Sequence, residues 1–343
     1  MTEAMQAMNE KTESEADKLI RRAYDALKEG KAEAALGLLK QALEIDFEHE
    51  ELLYALKCLS WWMEKIKRLS EFRDPFERGE YILSQWKSYY GFLPLVEAAQ
   101  PSGEETGSDG NQHLWAGKYD SCQYAIKRYV YSLALENFAV ILGENQQDPS
   151  LLLQAGRCCK GAGDWVEALQ YLEQAGRLKK EDSAILSELA DVNALLGDTR
   201  AAKALFREAF FLDPCGIDIE AMESEMIIGL KEKVKSLGYS GPEIAEWIPV
   251  WGRIWGIFSV KRELKPVEAG RLKQSILSME NEFGSKSGGN PQLKPRLLNR
   301  YFWLIDHCEQ SRDNTGYESG GLMDETMLKI KVIDPAVYEH YRT

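Results

Sequence analysis

Cysteine and histidine are the residue types in this chain best suited to nucleophilic or metal chemistry. The chain holds six cysteines and four histidines. No pair of cysteines has the Cys-x-x-Cys spacing of a metal or redox site, and the neighbours Cys158 and Cys159 would point about 100° apart on a helix. We therefore expect reduced core residues and no metal site. The six positions are Cys58, Cys122, Cys158, Cys159, Cys215 and Cys308.

Acid–base chemistry has one candidate group, formed by Asp306, His307 and Glu309. These residues could do proton transfer only if they converged in a cleft with a perturbed histidine. The sequence has no nucleotide-binding glycine motif, zinc-protease helix or nucleophile elbow. Residues 284–289 are glycine-rich, but no strand precedes them and the residue order is not that of a phosphate loop. We predict no catalytic residues and no cofactor, and an enzyme in the C-terminal region is the less favoured hypothesis.

The charge of the chain excludes one class of partner. The formal net charge is −13, with 25 Lys and Arg against 36 Asp and Glu in residues 1–216 and 17 against 19 in residues 217–343. Nucleic-acid binding needs a cationic surface that releases counterions from phosphates. The N-terminal two thirds therefore favours a neutral or basic protein partner over nucleic acid.

Neither a secretory signal nor a membrane span is expected from the sequence. Residues 1–15 are polar and acidic and lack the basic and apolar regions of a signal peptide. The most apolar stretch, residues 247–260, is interrupted by Pro249, Gly252, Arg253 and Gly256, whereas a span needs about 20 apolar residues. We expect a cytoplasmic protein.

An internal repeat determines the predicted fold. Residues 148–175 and 182–209 align without a gap at a spacing of 34 residues, which is typical of stacked helical hairpins. In each segment a Gly-Asp pair lies between two helical patterns, where glycine can end the first helix with positive φ and aspartate can cap the second. The equivalent small residues are Gly156, Gly163, Ala168 and Ala175 in the first segment, and Ala190, Gly197, Ala202 and Ala209 in the second.

These two segments resemble the tetratricopeptide repeat family. Family members have small residues where their helices approach closely, a Gly-Asp turn and a closing proline, which Pro214 provides here. Residues 15–46 match again through Gly30, Ala35 and Ala42, although Phe47 replaces the closing proline. The resemblance implies an all-α solenoid of helix-turn-helix units that winds as a right-handed superhelix.

The predicted organisation has three parts. Residues 1–14 are predicted to be disordered, residues 15–216 to form repeats and residues 217–343 to form a helical region that either caps the array or is a second domain. Repeats are clear at 15–46, 148–181 and 182–214 and degenerate at 50–99 and 115–147, with a polar loop at 100–113. The unit at 115–147 lacks a glycine turn, so one long helix over 115–142 is an alternative to a hairpin.

The family binds partners in a groove lined by the first helix of each hairpin, and the resemblance places that groove residue by residue. The corresponding positions are Ile20, Tyr24 and Leu27 in the first unit, Leu153, Arg157 and Lys160 in the next clear unit, and Ser187, Asp191 and Ala194 in the last. Some members clamp a terminal carboxylate with asparagines, but Gln154 and Glu188 occupy those positions here. The mixed charge of Arg157 and Asp191 favours a polar peptide or helix.

Beyond Pro214, helical patterns continue without the repeat spacing. We predict helices over 217–237, from Pro242 with a break or kink at Pro249, over 266–283, 295–308 and 323–331, and a short helix near the C-terminus. Four aromatic residues, Trp247, Trp251, Trp255 and Phe258, follow one helical face. We interpret this face as packing on the preceding hairpin, with partner binding, oligomerisation or membrane-surface contact beside Arg253, Lys261 and Arg262 as alternatives.

The sequence therefore predicts a non-enzymatic scaffold or adaptor that binds a protein segment in the groove of a repeat array. The alternative is a structural component that self-assembles through the Trp-rich face. The partner and the oligomeric state are left open by the sequence.

Overall fold

The structure is a computed structural model that describes residues 14–98, 119–144, 147–260, 264–285, 290–315 and 318–342. Over these ranges the chain forms fifteen α-helices and no β-strand, and consecutive helices pack in adjacent pairs. The predicted all-α class is confirmed. None of the described helices is long and apolar enough to cross a membrane. The predictions for residues 1–13 and for the loop at 100–113 lie outside the described residues.

The chain divides into two compact units, residues 1–171 and 172–343. The helices of the first unit are α1 (Glu15–Lys28), α2 (Ala32–Ile45), α3 (Glu50–Lys67), α4 (Pro75–Ala98), α5 (Asp120–Glu144) and α6 (Pro149–Ala162), and α7 (Trp165–Leu178) spans the division. A 3-10 turn, Arg68–Glu71, follows α3.

In the first unit each of α1 to α5 packs on the next helix, and α1 also packs on α5. These five helices therefore close on themselves, whereas a repeat in a stacked array contacts only its neighbours. The Gln123 side chain of α5 lies inside this arrangement and donates from Nε2 to the hydroxyls of Tyr54, at 2.7 Å, and Tyr89, at 3.1 Å. One buried amide thus links α5 to α3 and α4.

The second unit contains α8 (Ser183–Leu195), α9 (Thr199–Leu212), α10 (Glu225–Ser236), α11 (Glu243–Ile254), α12 (Pro266–Ser285), α13 (Leu293–Thr315), α14 (Glu318–Ile333) and α15 (Pro335–Arg342). Helix α8 packs on α9, α10 on α11, and α13 contacts α9, α11, α12 and α14. Helix α13 is therefore the centre of this unit.

The predicted hairpin turns have the expected local geometry. Gly163 ends α6 with φ of 87°, and Gly197 has φ of 90° in the turn before α9, a conformation that glycine adopts at little cost. Asp198 caps α9 by accepting the backbone N–H of Ala201 at 3.0 Å. Asp148 and Asp182 cap α6 and α8 in the same way.

The structure decides between alternatives that the sequence left open at two places and corrects one expectation. Residues 120–144 form the single helix α5, as the long-helix alternative to a hairpin expects, because no glycine or proline interrupts them before Gly143. The helix expected over 217–237 begins only at Glu225, after two 3-10 turns, Pro214–Gly216 and Ile219–Ala221. Helix α11 continues through Pro249 to Ile254, so this proline does not end it.

Helices α4 and α5 approach closely at Gly79. A Cβ atom added to Gly79 would lie 2.5 Å from Cζ of the fully buried Phe138 ring. The same helix α4 contains Gly91, where an added Cβ would meet nothing within 4 Å.

We predict that Gly79→Ala lowers the free energy of unfolding by about 1–3 kcal/mol, because the core must accommodate an overpacked methyl group. Gly91→Ala, the matched control, should raise it by about 0.5–1 kcal/mol, because alanine favours the helix. Urea denaturation followed by circular dichroism measures both changes. Equal stabilisation by the two substitutions would contradict the close approach.

Candidate functional site

The structure divides the nine predicted groove residues into two groups by burial. Six are buried: Ile20, Tyr24, Leu27, Lys160, Ser187 and Asp191. Three are partly exposed: Leu153, Arg157 and Ala194. Only the second group offers side-chain surface to a partner in the described conformation. The groove stays a prediction, with Leu153 and Arg157 in the first unit and Ala194 in the second.

Asp191 shows what one of the buried residues does. Its carboxylate accepts the backbone N–H groups of Glu223, at 2.8 Å, and Ser224, at 2.9 Å. These donors lie just before α10, where a helix leaves its first N–H groups without intrahelical acceptors. Asp191 therefore fixes the beginning of α10, which explains why this helix starts later than its apolar pattern suggests.

The exposed side of α6 is electrostatically coupled to α4. Gln154 Nε2 donates to Glu80 Oε1 at 2.8 Å. Burial raises the pKa of the Glu80 carboxyl, and the nearby Arg157 guanidinium opposes this shift. Arg157 is thus a half-buried cation beside a carboxylate, a position from which it could also contact an acidic or polar group of a partner.

A surface cleft in the first unit was missed at the sequence level. It lies where α4 and α6 begin and α5 ends, and it has a volume of about 470 Å³. Its lining residues are Asp74, Pro75, Phe76, Val140, Ile141, Asp148, Ser150 and Leu151. Two Asp-Pro pairs, at 74–75 and 148–149, mark its two helix starts in the sequence, but their proximity depends on the fold.

Most of the Trp-rich face belongs to the core of the second unit. Trp247, Trp251 and Phe258 are buried, and Trp255 is partly exposed and stacks on Trp251 with ring centroids 5.3 Å apart. The Phe258 ring lies 5.8 Å from that of Phe210 on α9. Phe258 thus packs on the preceding hairpin, whereas Trp247 stacks on Tyr239 and Trp251 lies edge-on to His340. A partner contact at Trp255 stays a prediction. Lys261 and Arg262 lie outside the described residues.

One of the three acid–base candidates, Asp306, belongs to a buried ion cluster. Asp306, whose side chain is 2% exposed, accepts Arg253 Nη2 at 2.7 Å and also pairs with Arg207. Burial lowers the pKa of Arg207, and the Asp306 carboxylate opposes this effect. The Arg207 guanidinium also lies 4.3 Å from the centroid of the Trp303 ring. Asp306 thus neutralises the buried Arg207 and the partly exposed Arg253 and joins α9, α11 and α13.

The cysteines differ sharply in exposure. Cys215 is exposed, and the other five are buried as free thiols. Burial raises the pKa of Cys58 to about 11 and that of Cys159 to about 12, so these thiols are protonated at neutral pH. Within the described ranges, no group of three or more His, Cys, Asp or Glu side chains is arranged to hold a metal ion.

Comparison with known proteins identifies no relative of this chain. No protein-family model matches the sequence, and no curated protein matches it at a significant level.

We predict that Asp306→Asn lowers the free energy of unfolding by about 3–5 kcal/mol, because it leaves the buried Arg207 without its carboxylate. Tryptophan fluorescence during urea unfolding can follow this change, since Trp303 lies against the cluster. The control Glu173→Gln removes an exposed partner of Arg177 on α7 and should cost less than about 0.5 kcal/mol. Similar small effects of both substitutions would contradict the proposed role of Asp306.

We predict that iodoacetamide modifies Cys215 first in the native protein and reaches the other five cysteines only on unfolding. The thiolate is the reactive form. Partial burial and the Glu246 carboxylate raise the pKa of Cys215 too, so the order is set by access, which burial denies to the other five thiols. Mass spectrometry of peptides from timed samples measures the order. Cys215→Ser should leave the native protein almost unreactive, and rapid labelling of Cys58 or Cys122 would contradict the described core.

Proposed function

We propose that this protein is a non-enzymatic scaffold of tetratricopeptide type that binds a segment of another protein. The observation that carries this proposal is the pair of hairpin segments spaced by 34 residues, 148–175 and 182–209, each with a positive-φ glycine at its turn. Helical repeats of this kind act by presenting an extended surface, without chemistry of their own.

The packing of small residues supports the same proposal. Ala168 and Ala175 on α7, and Ala202 and Ala209 on α9, are all fully buried. A small residue at a helix contact allows close approach of the two backbones, which is the physical role of these positions in tetratricopeptide hairpins. The closed packing of α1 to α5 departs from simple stacking, so the proposed repeat character is strongest for α6 to α9.

The proposed contact in the first unit uses the partly exposed groove residues Leu153 and Arg157. Leu153 and Arg157 share α6, where the aliphatic side chain can bury apolar surface and the guanidinium can fix the orientation of a polar group. The surplus of acidic residues in the N-terminal two thirds favours a neutral or basic protein and disfavours nucleic acid. We further propose that the binding takes place in the cytoplasm.

Affinity capture from the native cell tests this function. We predict that Arg157→Glu loses at least one protein that the wild type recovers, because it reverses the charge of the groove. The matched control Arg177→Glu makes the same charge change at an exposed site on α7 and should recover the wild-type set. Recovery of identical proteins by all three forms would contradict the groove.

A second variant controls for a folding defect in Arg157→Glu, because the new glutamate would repel the nearby Glu80 carboxylate. Arg157→Gln removes the cation without adding a carboxylate and should weaken recovery of the same protein. Thermal unfolding by circular dichroism must show that both variants are folded at the temperature of the capture.

A further inference from the structure

The cleft between the beginnings of α4 and α6 has an apolar floor that remains accessible. Phe76 is 37% exposed and Val140 is 58% exposed, and the partly exposed Ile141 and the buried Leu151 continue this surface. Burying apolar surface of this kind gains about 25 cal/mol for each Å² removed from water. The cleft can therefore hold one bulky apolar side chain.

The shape of the cleft is set by contacts beneath it. The Phe76 ring packs edge-on against Phe138, with centroids 5.8 Å apart, and Phe138 is fully buried where Gly79 admits it. One turn further along α4, Glu80 accepts the Gln154 amide of α6 at 2.8 Å. The walls are thus held in position before any ligand binds, which reduces the entropic cost of binding.

Two carboxylates stand at the rim. Asp74 Oδ1 accepts the backbone N–H of Phe76 at 2.9 Å, and Asp148 Oδ1 accepts the N–H groups of Ser150, at 2.8 Å, and Leu151, at 3.3 Å. Each carboxylate therefore caps its own helix with one oxygen. Within the described residues, neither Asp74 nor Asp148 forms an ion pair with a lysine or arginine.

The charge of the rim determines whether the cleft favours a cationic or an anionic ligand. The beginning of a helix carries about half a positive charge, so a full carboxylate at each of two helix starts leaves the rim negative. An anionic ligand, such as a phosphopeptide, would meet helix N-termini that are already occupied by aspartate. A cationic group finds two carboxylate oxygens that are free to accept its hydrogen bonds.

We propose that this cleft binds a peptide segment of another protein in which one bulky apolar side chain is flanked by lysine or arginine. The apolar side chain contacts Phe76 and Val140, and the flanking cations pair with Asp74 and Asp148. The inference rests on the proposed function only in taking the partner to be a polypeptide, since the cleft involves none of the groove residues.

The test uses the full-length protein and a displayed library of short random peptides. Peptides are selected on the wild type after removal of those that bind Val140→Lys, which places a cation on the exposed floor of the cleft. The proposal expects enriched sequences with Lys or Arg beside Leu, Ile or Phe. An absence of enrichment, or enrichment of acidic sequences, would overturn it.

A recovered peptide is then synthesised with a fluorescent label. Its affinity for the wild type and for variants measures how much the two carboxylates contribute to binding. The double variant Asp74→Asn, Asp148→Asn should weaken binding by about tenfold, because two exposed ion pairs are lost. Asparagine is as good a helix cap as aspartate, so the fold should be retained. The control Asp198→Asn changes an exposed cap of α9 and should leave the affinity unchanged. Equal affinities for all forms would overturn the proposal.

Light scattering tests the other possible occupant of the cleft, a second copy of this chain. A wild-type dimer that becomes a monomer in Val140→Lys would show that a second copy of the chain fills the cleft, and this would overturn the proposal.

Affinity capture distinguishes the groove proposal from the cleft proposal. Loss of captured proteins in Arg157→Glu with full retention in Val140→Lys would support the groove and reject the cleft, and the opposite pattern would do the reverse.

Discussion

The close approach of α4 and α5 over Gly79 is the constraint on which the first unit depends most. Because Gly79 has no side chain, the Phe138 ring lies directly against the α4 backbone and is fully buried. That ring supports Phe76 on one side of the cleft. In the same unit, Gln123 of α5 donates to the hydroxyls of Tyr54 on α3 and Tyr89 on α4. Small and polar residues thus hold together a set of helices whose apolar faces alone would not fix one arrangement.

In the second unit, buried charged side chains fix the arrangement of the helices. Its large apolar core surrounds Asp306, which joins Arg207 of α9 and Arg253 of α11 to α13. Such buried ions lose much hydration energy, so they hold a particular geometry more than they add stability. Asp306, one of the three acid–base candidates, therefore serves the packing of this unit.

Local features were predictable from the sequence, and features set by distant contacts were not. The turns at Gly163 and Gly197 follow from short motifs, because capping and positive φ depend on a few neighbouring residues. The beginning of α10 depends on the Asp191 carboxylate, which comes from another helix, so an apolar pattern could not locate it. Six groove positions carried over from the family resemblance are buried here, since burial is set by packing partners outside the repeat pattern. The cleft depends on bringing residues 76 and 140 together, which no local signal encodes.

Site-specific photo-cross-linking in the native cell tests the central claim most directly, because it reports which surface touches another protein. A benzoylphenylalanine is placed in turn at Leu153 on α6, at Val140 in the cleft and at Val332, a 77% exposed residue of α14. The scaffold account predicts cross-links to another polypeptide from positions 153 and 140 and none from position 332. Cross-links from position 332 alone, or no cross-link from any position, would contradict it.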